Sequence, residues 1–145
     1  DFKHSILLHG GGWKKMENMK ISNKDFKNLL FKKLKIKNFL NYYGLTEQTG
    51  SIFLECKCGY FVTSEFSDIL IRDEELNLIN KPLKGLIQLM SLLPTSYPGH
   101  NILTQDIGEI VDKNKCSCKL NGKRFLVHGR AQKAELRGCS DTAVE

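Results

Sequence analysis

Apolar residues in this chain follow two rhythms. "SILLHGGG" is a short apolar run over Ser5–Leu8 that stops at three glycines, and it predicts a buried strand ending in a glycine turn. In "ISNKDFKNLLFKKL", Phe26, Leu29, Leu30 and Leu34 recur at helical spacing and predict a helix. Ser22 stands at the N-cap position, with Asp25 three residues on as a carboxylate variant of the capping box. "IKNFLNYY" returns to the pattern of a strand. The order strand, glycine turn, helix, strand, glycine turn is a βαβ pattern. Both turns then fall at carboxyl ends of strands, where parallel sheets place ligands.

After Gly50 the helical period disappears. "SIFLECK", "YFVTSEF", "DILIRD", "GLIQLMSLL", "GEIVD" and "RFLVHGR" predict short strands separated by turn-rich segments, a pattern of antiparallel sheet. "AQKAELRG" predicts a short helix or an irregular tail. A subdomain boundary is therefore expected near residue 51.

With 145 residues the chain is long enough for one domain with a core. No apolar run approaches the ~20 residues of a membrane span. The chain opens without Met, as though cut from something longer. The net charge of +6 comes largely from Lys24 to Lys37, which is either a solvated helix face or a grip on phosphates. Five cysteines without a secretory signal point to a reducing, cytoplasmic setting. Four of them form two C-x-C pairs, Cys56/Cys58 and Cys116/Cys118, each beside a turn. Four thiolates satisfy tetrahedral Zn²⁺ and leave no position for water, so the expected metal is structural and clips two hairpins together. The plain alternative is four independent thiols.

"LLHGGGW" resembles the oxyanion turn of esterases, yet no serine sits in a G-x-S-x-G elbow. The glycines serve either a tight turn or a close approach of backbone to a flat ligand such as a purine. "YGLTE" offers an aromatic face at Tyr43, a hydroxyl at Thr46 and a carboxylate at Glu47 suited to Mg²⁺. The same Thr-Glu pair is also an ordinary way to begin a helix.

"YGLTEQTG" resembles the Y-G-x-T-E motif of the adenylate-forming enzymes, the acyl-CoA synthetases and luciferases. "TQDIGEI", Thr104 to Ile110, resembles their aspartate segment, with Gln105 where glycine is usual, and "VHGRAQKAELRG", Val127 to Gly138, their Gly-Arg hinge. In detail the chain is most similar to the C-terminal half of a LuxE-type acyl-protein synthetase. The resemblance implies an α/β partial domain: a βαβ nucleotide-binding part over 1–50, a β-rich part over 51–126, and a hinge and tail over 127–145. It implies ATP-dependent activation of a fatty acid as acyl-AMP and transfer to a protein cysteine. The acyl acceptor would be a protein such as the fatty-acid reductase that supports bioluminescence.

By that resemblance Gly10, Gly11 and Gly12 lie against adenine and Tyr43, followed by Gly44, stacks on it. Thr46 binds the α-phosphate, Glu47 holds Mg²⁺, Asp106 accepts from the ribose hydroxyls, and Arg130 reaches ribose or phosphate. Asp106 and Arg130 also have plain structural uses, as a turn cap and as the partner of a surface carboxylate. Cys139, next to an arginine in "LRGCS", is the candidate acyl carrier, the alternative being a buried inert thiol. The family's Ser/Thr/Gly-rich phosphate loop and a catalytic lysine have no counterpart here, so the residues alone are expected to be inactive. The competing readings are a zinc-stabilised nucleic-acid-binding module and a non-catalytic partner subunit.

Overall fold

The computed structural model describes Phe2 and residues 4–131. Two compact units divide it, one reaching to Asn41 and one beginning at Tyr42.

In the first unit β1 (Ile6–Gly10) is followed by a 3-10 segment (Lys14–Met19), helix α1 (Asn23–Leu34) and the start of β2 (Asn38–Tyr43). β1 runs on into the first glycine, and Gly11 takes a φ of 85°, the left-handed turn expected of the glycine run. The helix begins where its cap predicts. Ser22 Oγ accepts from the Asp25 amide at 3.1 Å and donates to its carboxylate at 2.6 Å. Lys35, in the left-handed region at φ 59°, closes the other end. Phe26 makes edge contacts with His9 and Trp13.

The second unit is an antiparallel sheet of five strands in the order β4-β8-β7-β6-β5. Its strands are β4 (Phe61–Val62), β5 (Ser67–Arg72), β6 (Gly85–Ser91), β7 (Asn101–Val111) and β8 (Arg124–Arg130). The short β3 (Phe53–Leu54) pairs instead with Tyr42 and Tyr43 at the end of β2. Alternate residues of β5, β6 and β8 point inward, so Ile69, Ile71, Ile87, Leu89 and Phe125 meet Phe53 in one buried cluster. Tyr43, Leu45, Phe61 and Val127 pack against it. Two of the expected strands shrink to two residues each, because Cys56–Gly59 turns back on itself between them: the Gly59 amide donates to Cys56 O at 2.9 Å. β7, expected from residue 108, starts at Asn101 and carries the aspartate segment within it.

Gly122 precedes β8 with a φ of 101°, and a Cβ there would lie 2.2 Å from the carbonyl oxygen of Thr63. Gly122→Ala should therefore destabilise the fold by about 2 kcal/mol or more, since conformation and space are both denied. Denaturant unfolding checks this, and a loss within about 0.5 kcal/mol, typical of a surface change, would contradict it.

Candidate functional site

The turn after β2 is held by three anchors. Leu45 packs on the core cluster. Thr46–Gln48 forms a single 3-10 turn. Gln48 is fully buried, and its Nε2 donates to the carbonyls of Gly99 at 3.0 Å and Leu89 at 3.4 Å. Gly99 comes so close that a Cβ would stand 2.7 Å from Glu47 O. Beyond the turn, Ser51 Oγ donates to Ser91 Oγ at 2.7 Å in a buried pair. These contacts tie the turn to β6 and the loop after it, while Thr46 and Glu47 remain exposed. Thr46 Oγ1 donates to Glu47 Oε2 at 3.0 Å. Glu47 Oε1 has no protein partner among the described residues, so the carboxylate is available to a hard cation, which prefers oxygen ligands.

Tyr43 is half-buried among three phenyl rings: Phe53 at 6.2 Å, Phe61 at 6.0 Å and Phe125 at 6.0 Å between centroids. Its hydroxyl donates to Asp106 Oδ2 at 2.7 Å. Burial first, and the Asp106 charge second, push the phenol above its ordinary range, so the group stays a donor. The backbone amide of Asp106 donates to Thr104 Oγ1 at 3.0 Å. Its other oxygen, Oδ1, lies 3.9 Å from Arg130 Nε. Arg130 is 42% exposed at its side chain against 17% for Asp106, so the pair sits at the rim of the sheet.

A bulge makes that pair. From Gly108↔Val127 to Val111↔Arg124 the two strands keep one register, but Ile107 faces Gly129 and Asp106 faces Arg130. Without the extra residue, His128, Asp106 would oppose Gly129. Gly129 accommodates the bulge with a φ of 131°. The amide of Ala131 then donates to Gln105 O at 2.8 Å and continues the pairing.

Tyr43, Gly44, Thr46, Glu47, Asp106 and Arg130 thus all belong to the second unit, and Tyr43, Asp106 and Arg130 form one connected line. Gly10, Gly11 and Gly12 belong to the first unit, where a Cβ at Gly11 or Gly12 would meet nothing within 4 Å. Cys139 lies outside the described residues. An open apolar groove of about 410 Å³, bordered by Phe66, Met90, Leu92 and His100, is lined by none of these residues.

The two C-x-C pairs come together. Cys56, Cys116 and Cys118 place their sulfurs within 4.8 Å of one another, with Cys56–Cys116 at 3.7 Å and Cys116–Cys118 at 2.9 Å. Cys58 stands slightly apart, its sulfur 3.5 Å from Ser117 Oγ. That hydroxyl first, and then Cys116, lower the Cys58 thiol to about 7, while the thiol of Cys116 is pushed up to about 11 by Cys118. Arg124, buried beside this cluster at 1% exposure, carries no mark of burial in its local sequence. Gln48 is likewise silent in the sequence, because a glutamine inside a turn motif is ordinarily exposed.

Comparison with known proteins agrees with this architecture. The chain matches apo MatB from Rhodopseudomonas palustris with a TM-score of 0.56 at 15% identity, over 88% of this chain and 26% of that one. It matches the anthranilate CoA ligase AuaEII, solved with anthranoyl-AMP, with a TM-score of 0.59 at 12% identity, over 86% and 24%. The luciferase-like enzyme of the Zophobas morio mealworm gives 0.54 at 20% identity, over 89% and 32%. The chain therefore has the fold of part of an adenylate-forming enzyme and spans 24–32% of the length of these chains. No curated protein sequence matches it significantly. The family described as "Acyl-protein synthetase, LuxE" matches residues 1–145, from end to end, and the chain belongs to that family.

Proposed function

We propose that the whole protein activates a fatty acid with ATP and passes the acyl group to a protein cysteine, and that these residues form the nucleotide-binding C-terminal part of that enzyme. In the first step the acid's carboxylate oxygen bonds to the α-phosphorus of ATP and the α–β phosphoanhydride bond breaks, releasing pyrophosphate. In the second a thiolate attacks the acyl carbon and AMP leaves with the electron pair. The observation that carries this reading is the Tyr43–Asp106–Arg130 line, which sets a carboxylate acceptor and a guanidinium side by side at the rim of the sheet. Asp106 suits ribose hydroxyls, and Arg130 suits ribose or phosphate oxygens. Thr46 would donate to the α-phosphate and Glu47 would hold Mg²⁺ bound to it, with Gly10–Gly12 and Tyr43, at Gly44, against the adenine. Catalysis is then positioning and charge neutralisation.

The same reading gives Cys139 the role of acyl carrier and a fatty-acid reductase that of acceptor. It sets the reaction in the cytoplasm; among the described residues no helix is long and apolar enough to cross a membrane. It also gives the four clustered cysteines a structural Zn²⁺. The upstream half of the fold would supply the phosphate loop and much of the acyl pocket, so the residues described would not turn over alone. No observation favours a nucleic-acid-binding module.

The test is carboxylate-dependent ATP–pyrophosphate exchange by the full-length protein across a panel of fatty and aromatic acids. Exchange is expected with fatty acids, and Glu47→Ala should lower it about 100-fold or more, as removal of a preorganised charge does. Labelled acyl group should be retained on the protein and lost in Cys139→Ser. A folded protein that binds Mg-ATP but exchanges with no acid would sink the proposal.

A further inference from the structure

Arg124 begins β8, and its guanidinium is the largest fully buried side chain of the second unit. Its contacts are unusual for a cation. Nη1 donates to Gly122 O at 2.7 Å, and Nη2 to Leu120 O at 2.6 Å and Cys118 O at 3.2 Å. Nε is buried without a hydrogen-bond partner. Among the described residues no carboxylate pairs with it. A buried charge surrounded only by neutral carbonyls is costly, because dipoles replace hydration incompletely. The one candidate anion is sulfur: Nη2 also lies 3.7 Å from Cys118 Sγ.

The sulfurs have the complementary problem. Two hairpins bring them together, one turning at Cys56–Gly59 and the other running from Cys116 toward β8. The Cys56–Cys116 separation of 3.7 Å is close to the ~3.8 Å edge of a tetrahedron with Zn–S bonds of about 2.3 Å. Cys116–Cys118 at 2.9 Å is shorter than that edge and would open on binding. Cys58, on the same turn as Cys56, supplies the fourth donor. Four thiolates around one divalent ion carry two net negative charges, and in a partly buried site they need a cation nearby.

We propose that Cys56, Cys58, Cys116 and Cys118 hold one Zn²⁺ as a tetrathiolate whose counter-charge is the buried guanidinium of Arg124. The metal explains why a cation is buried there without a carboxylate, and the cation explains how a doubly anionic centre is tolerated against Val62 and Tyr60. Arg124 is a positioning residue and touches no reacting atom. Its three carbonyl contacts strap the segment from Cys118 to Gly122, so the outer ligand loop is aligned with the start of β8. The inference rests on the zinc assignment made above and is independent of the adenylation chemistry.

The experiment is metal analysis of the full-length protein, followed by competition with a chromophoric zinc chelator. One zinc per chain is expected, and cobalt substitution should give the intense sulfur-to-metal charge-transfer absorption of a thiolate site. Arg124→Gln keeps hydrogen-bond donors for the carbonyls but removes the charge, and it should lower zinc affinity by about 10-fold or more. Arg124→Lys keeps the charge and should stay within a few-fold of the unaltered protein. Far-UV circular dichroism of both variants guards against a folding defect, and the Lys variant alone decides if the Gln variant does not fold. If Lys falls as far as Gln, the residue acts only as a strap and the counter-charge proposal is overturned. If zinc is bound and neither change matters, the proposal fails while the zinc site stands. A protein that binds no metal, or that forms a Cys116–Cys118 disulfide in its place, overturns both.

Discussion

Phe125→Ala is expected to destabilise the protein by about 3–5 kcal/mol, the range for deleting a fully buried phenyl ring. Phe125 has no exposed surface and is the hub of the aromatic cluster, with Phe53 at 5.4 Å, Phe61 at 5.6 Å and Tyr43 at 6.0 Å. The rings come from three separate strands and the end of β2, so no one segment can move in to fill the hole. The loss adds the transfer free energy of the ring to the cost of a cavity. The change should show as a lower urea midpoint with an unchanged slope. Leu120→Ala, at a position 52% exposed, is the control and should stay within about 0.5 kcal/mol. The substitution should also weaken ATP binding, because the phenol that holds Asp106 is seated on that ring. A destabilisation below about 1 kcal/mol would mean that the cluster repacks around the gap and does not set the position of Tyr43.

Asp106→Ala carries the largest expected effect on function. A hydrogen bond to a charged acceptor contributes about 1.5–3 kcal/mol, and a ribose offers two hydroxyls. kcat/KM for ATP should therefore fall about 100-fold or more, while KM for the carboxylic acid stays nearly constant. The split between the two substrates identifies a nucleotide contact, since general damage to the fold would move both. Tyr43→Phe separates the remaining possibility. It removes the hydroxyl that donates to Asp106 Oδ2 but leaves the carboxylate, so it should cost about 1 kcal/mol of stability and a smaller part of the ATP effect. Were Tyr43→Phe to reproduce the whole loss, Asp106 would serve as the seat of the phenol and not as a ribose acceptor.

Much of the local structure was legible because it depends on neighbours in sequence. The Ser22 cap works through a residue three positions away, and the helix begins there. "RFLVHGR" carries three successive apolar residues, Phe125 to Val127, and becomes β8 over Arg124–Arg130. β7 was harder to see. Thr104, Gln105 and Asp106 interrupt its alternation with polar residues, so the pattern predicts a strand only from Gly108, although the strand runs from Asn101 to Val111. "SIFLECK" and "YFVTSEF", on either side of Cys58, predict short strands by their apolar residues, yet only Phe53–Leu54 and Phe61–Val62 are strand. The turn at Gly59 that cuts them short follows from bringing the cysteines to their partners 60 residues away in the chain.

The sequence by itself determined the ordered set of motifs, and with it the family, the antiparallel second half and the pairing of cysteines into two doublets. These follow from residue type and spacing, which a chain carries before it folds. Only the tertiary structure decided which of those residues meet. The bulge at His128–Gly129 moves the β8 register by one and sets Arg130, not Gly129, opposite Asp106. The burial of Gln48 under the Thr46–Glu47 turn depends on carbonyls from Leu89 and Gly99. The burial of Arg124 beside the sulfurs depends on a loop that returns its own carbonyls to the guanidinium. In each case the partner is supplied by a distant strand or a looped-back backbone, and pairing over such distances is set by packing the whole core, not by any local preference of the residue concerned.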